Sequence, residues 1–108
     1  MPSTTIAPHA ELTTLVNVFT VDPARQRELV EILTGATQKV MQYREGFISA
    51  NIHASTDGTR VLNYAQWSST DAYQAMLDDP ECREHMSEAA ALATFDPHVY
   101  TVESIHHT

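Results

Sequence analysis

Hydrophobic and polar residues alternate along four stretches of the chain, and two other stretches repeat their apolar residues at helical spacing. The alternating stretches, which predict β-strands, cover residues 13–21, 47–55, 60–67 and 98–105. Helical spacing predicts one helix that starts at Pro23, after the N-cap residue Asp22, and continues to about Tyr43. A second, bent helical crossover is predicted from Ser68 to about Ala91. The predicted order is therefore β-α-β-β-α-β.

This order is typical of the ferredoxin-like fold of the α+β class, in which four strands form one antiparallel sheet and both helical crossovers pack on the same face. The other face of the sheet is then left uncovered. Strand alternation assigns to that open face the side chains of Val16, Val18, Ile48, Ala50, Ile52, Leu62 and Tyr64. A face this apolar is costly to leave in water, so we expect two copies to pack sheet against sheet as a homodimer.

Length and charge narrow the range of partners. The chain has 108 residues, enough for a single domain over residues 13–108, preceded by a flexible arm over residues 1–12. Its formal charge of −8 disfavours nucleic acid and anionic membranes and favours small molecules or proteins as partners. The lone Cys82 excludes an intrachain disulfide, and with no basic-then-apolar leader the chain is expected in a reducing cytoplasm.

Candidate chemistry is densest in the hairpin over residues 53–67. Strand alternation places Asn63 and Trp67 on one face, about 13 Å apart, which is the length of three or four fused aromatic rings. Right-handed crossovers place the first and third strands side by side, so Asn17 and Asn63 can approach each other. A buried amide without a hydrogen-bond partner costs about 1–3 kcal/mol, so the presence of two asparagines on a core-facing side of the sheet needs an explanation. Mutual pairing, a buried water or simple core filling by Trp67 are the structural alternatives.

Three segments together resemble the antibiotic biosynthesis monooxygenase family: LVNVFTV, GFISA and the longer run HASTDGTRVLNYAQWSSTDAY. The resemblance spans Leu15 to about Tyr100. It is strongest to the cofactor-independent, quinone-forming monooxygenases of aromatic polyketide pathways, of the actinorhodin-pathway type. It implies a dimeric α+β barrel that oxidises an anthrone or naphthacenone to a quinone with molecular oxygen. Neither a metal nor a flavin would take part.

The resemblance also implies which residues serve this chemistry. The family's catalytic positions correspond to Asn17, Asn63 and Trp67, and a cavity tyrosine corresponds to Tyr73. The late-helix arginine of the actinorhodin-pathway type falls at Met86, with Arg83 and His85 as the nearest polar neighbours. The full set of expected substrate-binding residues is Tyr73, His53, Met86, His85 and Phe19. We expect His53 at the cavity rim and Phe19 on the same strand face as Asn17.

Motifs for cofactors are missing from the sequence, and two alternative functions stay open. The six histidines are scattered, and with three glycines there is no glycine-rich phosphate loop, so no metal or cofactor site is expected. Haem-degrading monooxygenases share the fold and would use His85 as the iron ligand, although Met76 stands where they keep a second tryptophan. The other alternative is a non-catalytic dimeric module that binds a small aromatic ligand or a protein partner.

Overall fold

The computed structural model describes residues 2–8 and 11–108. Its strands and helices, numbered in chain order, are β1 (Thr13–Val21), α1 (Gln26–Lys39), β2 (Phe47–Ala54), β3 (Arg60–Trp67), α2 (Thr70–Asp78), α3 (Pro80–Ala90) and β4 (Ala93–Tyr100). This order confirms the predicted α+β, ferredoxin-like fold, with the second crossover divided between α2 and α3. In the ranges that the structure describes, no helix has the length and apolar character needed to cross a membrane.

The four strands form one antiparallel sheet in the order β2-β3-β1-β4, so β1 and β3 are neighbours as predicted. The helices cover one face, where α1 packs on β2 and β3 and also contacts α3. Leu29 of α1 and Val61 of β3 are fully buried at one end of this layer. Trp67 and Cys82 are buried at the other end, so two apolar clusters lie between the sheet and the helices.

Side-chain caps define where the helices begin. Asp22 accepts a hydrogen bond from the backbone N–H of Ala24 at 2.8 Å, and Asp79 accepts from those of Glu81 and Cys82. The observed first α-helix is shorter than the predicted one. It begins as a 3₁₀ turn over Pro23–Arg25 and ends as an α-helix at Lys39, and a second 3₁₀ turn covers Met41–Tyr43. Asp22 thus caps the start of the first crossover, and Asp79 caps α3 within the second.

The fourth strand was predicted too late in the chain, at residues 98–105 instead of Ala93–Tyr100. Pro97 lies within the observed strand, opposite Asn17 of β1. Proline cannot donate to a sheet ladder and therefore argues against a central strand, but β4 is an edge strand, where proline is tolerated. The correction matters for the site, because it brings Phe95 and Pro97 onto the helix-covered face of the sheet.

An irregularity in β2 reverses part of the predicted face assignment. The pairing register between β2 and β3 shifts between Phe47 and Ser49, as at a β-bulge. Beyond the bulge, Ala50 lies opposite Ala65 and therefore faces the helices, and Ile52 packs in the apolar layer beneath them. The prediction that Ala50 and Ile52 belong to the open face was therefore wrong, since one extra residue in a strand exchanges its two faces.

The N-terminal segment contacts the open face of the sheet. The Thr4 hydroxyl donates to Oδ1 of Asn51 at 2.6 Å, and Nε2 of Gln66 donates to the Thr5 carbonyl at 2.9 Å. Gln66 is consequently buried although its strand presents it to the uncovered side. The segment thus covers one end of the open face. His9 and Ala10, within the predicted arm of residues 1–12, lie outside the described residues, as does Met1.

Candidate active site

A cavity lies between the helix-covered face of the sheet and the helices above it. Its volume is about 170 Å³. Its lining comes from every layer of the fold and consists of Leu15, Asn17, Phe19, Leu33, Ala36, Thr37, Met41, Asn63, Tyr73, Met76, Leu77, Met86, Phe95 and Pro97. An adjoining recess of about 40 Å³ shares Asn17, Phe19 and Met86 with it and is closed on one side by His85. The walls are almost entirely apolar, as expected for a site that takes an aromatic ligand.

Two amides interrupt this apolar lining. Asn17 and Asn63 lie directly opposite each other on β1 and β3, so their side chains leave the sheet on the same face. In both, the amide oxygen Oδ1 is buried and has no hydrogen-bond partner within the described chain. Buried amide groups nearly always find a partner, because leaving one unpaired costs about 1–3 kcal/mol. The pair is therefore poised to bind polar groups of a ligand in the cavity.

Trp67 supports the cavity from behind. Its indole is only 2 % exposed and does not line the cavity. It packs edge-on against Phe47, with ring centroids 5.5 Å apart, and against Tyr73 at 6.5 Å. Trp67 therefore lies behind the cavity wall, to which Tyr73 belongs.

Tyr73 on α2 contributes a phenol side chain to the lining of the cavity. Burial raises the pKa of Tyr73, because the charged phenolate is disfavoured away from water. Its hydroxyl consequently keeps its proton at neutral pH and can donate a hydrogen bond to a bound ring oxygen. The structure thus brings Tyr73 together with Asn17, Asn63 and Phe19, as expected from the sequence.

Helix α3 supplies Met86 and His85 to the opposite wall. Met86 lines both the cavity and the recess, and His85 lines the recess. No charged side chain belongs to the lining residues given above. Arg83 lies further out, in a groove that also contacts Met86 and Phe95. The position at which the resemblance implied an arginine is thus occupied by the uncharged Met86, and Arg83 stands outside the cavity lining.

His53 does not reach the cavity, and its expected place at the rim was wrong. It lies opposite Leu62 in the sheet, on the open face, because the β2 bulge reversed the strand after Phe47. Its imidazole Nδ1 is 2.9 Å from the Asn51 carbonyl oxygen and its side chain is exposed to solvent. Among the described residues, no hydrogen bond links His53 to Asn17 or Asn63.

Two walls of the cavity were not predicted from the sequence. Phe95 and Pro97 of β4 precede the predicted strand of residues 98–105, so no place on the sheet was expected for them. Phe95 is 45 % exposed and packs on Phe19 with ring centroids 6.0 Å apart, so it stands at the mouth. Leu33 and Ala36 of α1 form the other wall. Both stand at helical spacing in the sequence, but this spacing does not distinguish a side chain packed in the core from one that lines a cavity.

Neither a metal cluster nor a reactive thiol emerges from the part of the chain that the structure describes. No group of three or more histidine, cysteine or acidic side chains is close enough together to hold a metal ion there. Burial raises the pKa of the Cys82 thiol, and Cys82 is fully buried against Trp67 and Met76 within one apolar cluster. A protonated, enclosed thiol is a packing residue.

The chain is similar to known proteins in sequence and in fold. The family model for antibiotic biosynthesis monooxygenases matches residues 13–88. Tetracenomycin-F1 monooxygenase of Streptomyces glaucescens is 42 % identical over 93 residues, which are 86 % of this chain and 83 % of the relative.

Two solved structures share the fold over nearly their whole length. The ActVA-Orf6 monooxygenase of Streptomyces coelicolor, in complex with nanaomycin D, is 37 % identical with a TM-score of 0.81, over 89 % of this chain and 91 % of that one. A variant of SnoaB, a cofactor-independent oxygenase of Streptomyces nogalater, is 24 % identical with a TM-score of 0.78, over 89 % and 97 % of the two chains. The chain is thus a member of the antibiotic biosynthesis monooxygenase family, as its hairpin and first strand had indicated.

Proposed function

We propose that this protein is a cofactor-independent monooxygenase that oxidises a polycyclic aromatic polyketide, an anthrone or naphthacenone, to a quinone with molecular oxygen. The observation that carries the proposal is the pair of asparagines, Asn17 and Asn63, whose amide oxygens are buried without a partner among the described residues in an otherwise apolar cavity. The 42 % identity with a tetracenomycin-F1 monooxygenase points to the same substrate class. Nanaomycin D bound to a relative of 37 % identity agrees with it.

The shape of the cavity suits a flat ligand that is only partly enclosed. Its volume of about 170 Å³ is below the range of about 300–1,000 Å³ typical of ligand pockets. The exposed Phe95 at the mouth and the flexible Met86 on the opposite wall leave room for a ring system to extend outward. We expect the reacting ring beside the amides and the far ring against Phe95.

The substrate itself supplies the electrons for this reaction. Loss of one proton from the methylene carbon of an anthrone leaves an enolate whose electron pair is delocalised over the fused rings. Electron transfer to oxygen and formation of a C–O bond then give a peroxide, which takes up a proton. Loss of the second C–H proton breaks the O–O bond and leaves a carbonyl, while the hydroxide gains a proton and departs as water. One CH₂ and one O₂ become one C=O and one H₂O, so no external reductant is needed.

The protein has to stabilise the enolate and hold the rings in place. The amide N–H groups of Asn17 and Asn63 and the hydroxyl of Tyr73 are neutral donors, well suited to the developing negative charge on a ring oxygen. An apolar, water-poor cavity strengthens such hydrogen bonds. We assign Trp67 the role of positioning Tyr73, against which its indole packs.

We further propose that the protein works as a homodimer through the open face of the sheet, in a reducing cytoplasm compatible with its single thiol. Val16 and Leu62 are half-buried on that face, and Ile48 and Tyr100 are about half exposed, at 47 % and 50 %. The Tyr64 hydroxyl on the same face is buried without a partner in the described residues. A second sheet packed on this side would cover the apolar groups and could supply that partner.

The test is to incubate metal-free protein with an anthrone such as dithranol and to follow quinone absorbance with and without oxygen. Quinone formation that depends on enzyme and oxygen and is unaffected by a chelator is the expected result. Tight binding of the anthrone without oxygen consumption would instead identify a non-catalytic binding module. Activity only after addition of haem, with a shifted Soret band, would indicate the haem-degrading alternative.

A further inference from the structure

His85 belongs to the inward stripe of α3. It follows the fully buried Cys82 by three residues and precedes the buried Ala89 by four, and Met86 stands beside it. Residues three and four apart occupy one face of a helix. This spacing directs the imidazole toward the sheet, and His85 closes one side of the recess that adjoins the cavity.

The other walls of this recess carry no group that titrates near neutral pH. The recess is lined from β1, α1, the turn after it, α3 and β4 by Asn17, Phe19, Leu33, Ala36, Met41, Met86, Ala89 and Phe95. Asn17 is the polar member of this set, and its Oδ1 is without a partner in the described chain. The imidazole and the amide thus share one small apolar chamber.

The one acidic side chain that the described residues place within 4 Å of the imidazole of His85 is Glu88, on the same helix. Oε1 of Glu88 is 3.9 Å from Nδ1, beyond hydrogen-bond distance, and the side chain of Glu88 is 55 % exposed. Arg83 and Glu84 are exposed on either side of the stripe. Within the described residues no hydrogen bond fixes the imidazole, whose side chain is 22 % exposed. A ring nitrogen is therefore free to exchange a proton with a ligand.

Tyr73 is the other titratable side chain among the cavity and recess linings. It cannot act as a base, because burial raises the pKa of Tyr73 and keeps the phenol protonated. The asparagines and Thr37 are not basic, and the Thr37 hydroxyl already donates to the Leu33 carbonyl at 2.9 Å. An imidazole is the side chain best suited to take up and return a proton near neutral pH.

We propose that His85 is the general base of the reaction. This inference rests on the proposed monooxygenase function. A neutral ring nitrogen of His85 accepts the proton of the reacting carbon as the C–H bond breaks, and the electron pair of that bond stays in the rings as the enolate. The enolate oxygen is held by Asn17 and Asn63. The imidazolium then returns the proton to the peroxide formed with O₂, so that His85 is neutral again for the second C–H proton.

The test compares the wild type with His85→Gln, which keeps a polar side chain of similar length but cannot accept a proton at neutral pH. We expect kcat/KM for an anthrone to fall by about 10²-fold or more. In the wild type, kcat/KM should decrease on acidification because an imidazolium cannot act as a base, and this decrease should disappear in the variant. His106→Gln, in the exposed C-terminal segment, is the matched control and should keep both the rate and the pH profile.

Binding of the quinone product separates a base from a residue that only shapes the site. The affinity of His85→Gln for the quinone should stay within about threefold of the wild type, since a base acts on the proton and contributes little to binding the product. Should the variant not fold, His85→Ala assayed with added imidazole provides the same test, and recovery of activity with imidazole concentration is expected.

Different results would contradict the proposed monooxygenase function and the role of His85. A wild type with no oxygen-dependent turnover contradicts the function itself. An active wild type with a fully active His85→Gln, an unchanged acid limb, or equal losses of activity and quinone binding overturns the role of His85 alone. Failure of imidazole to restore any activity to a folded His85→Ala would also overturn it.

Discussion

At the level of single residues, the site depends on two asparagines that face each other across neighbouring strands. Asn17 and Asn63 contribute little to folding, because asparagine is a poor strand former and neither Oδ1 has a partner in the described protein. A residue that weakens the sheet and leaves a polar atom unsatisfied is best explained by a ligand.

If the asparagines serve a ligand and not the fold, replacing one of them should reduce activity without reducing stability. Asn63→Ala should lower turnover of an anthrone by about 10²–10³-fold, the typical effect of removing one neutral donor to a developing negative charge. Its free energy of unfolding should be equal to or higher than that of the wild type, because the variant no longer buries an unpaired amide oxygen. Steady-state kinetics and urea denaturation measure the two effects. A variant that is less stable but fully active would contradict the assignment.

Strand alternation was sufficient to predict which of these residues meet. It placed Asn17, Asn63 and Phe19 on the helix-covered face, and the antiparallel register of β1 and β3 confirmed it. It could not separate a side chain that lines a cavity from one that packs behind it, as with Trp67. That distinction depends on where α1, α2 and α3 leave space, which sequence periodicity does not contain.

At the level of elements, the differences from prediction arose where a strand departs from regular pairing. The bulge after Phe47 moved His53 to the open face, and Pro97 hid the true position of β4. Both features are tolerated near the edges of a sheet, where fewer ladder hydrogen bonds are lost. Strands β1 and β3, which are central and regularly paired, were predicted with their observed bounds.

The turn before β2 requires a glycine. Gly46 has a φ of 84°, and a Cβ there would clash with Cβ of Ala72 and Oγ of Ser68, while its carbonyl accepts from the Ser68 N–H at 2.7 Å. Gly46→Ala should therefore destabilise the fold by at least about 1–3 kcal/mol. Gly35→Ala in α1, where nothing lies within 4 Å of the new Cβ, is the control and should stabilise by about 0.5–1 kcal/mol. Equal effects of both changes on thermal unfolding would refute this explanation.

The hairpin between β2 and β3 depends on the ionised form of Asp57. Hydrogen bonds from the backbone N–H and hydroxyl of Thr59 and from the hydroxyl of Ser55 lower the pKa of Asp57 to about 2. Because this pKa lies below the ordinary value of 3.8, the carboxylate stabilises the fold above about pH 4. That contribution is lost as the pH falls toward 2. The melting temperatures of wild type and Asp57→Asn should differ at pH 5 and converge near pH 2; a difference that does not change with pH would argue against it.

At the scale of the whole molecule, the two faces of the sheet have different tasks. The helix-covered face carries the cavity, and the open face carries half-exposed apolar side chains and part of the N-terminal segment. The net charge of −8 limits nonspecific association between copies, so a dimer has to rest on this apolar face. Because the cavity and the proposed dimer interface lie on opposite faces of the sheet, we expect that substitutions can disturb dimerisation and catalysis independently.

Leu62→Glu tests the assembly. The substitution places a charge in the middle of the open face, where a partner sheet would remove it from water at high cost. Sedimentation equilibrium should show a dimer for the wild type and a monomer for Leu62→Glu. Gln74→Glu, on the exposed side of α2, adds the same charge elsewhere and should remain dimeric. A wild type that is monomeric at all concentrations would contradict the proposed dimer.

In the proposed reaction, one oxygen atom of O₂ enters the product without the help of a cofactor. The most direct measurement is mass spectrometry of the quinone formed by chelator-treated protein from an anthrone under ¹⁸O₂. We expect one heavy oxygen atom in the new carbonyl and the other in water, and we expect Asn63→Ala to form the same product far more slowly. A quinone without the label, or a reaction that starts only after a metal or flavin is added, would contradict it.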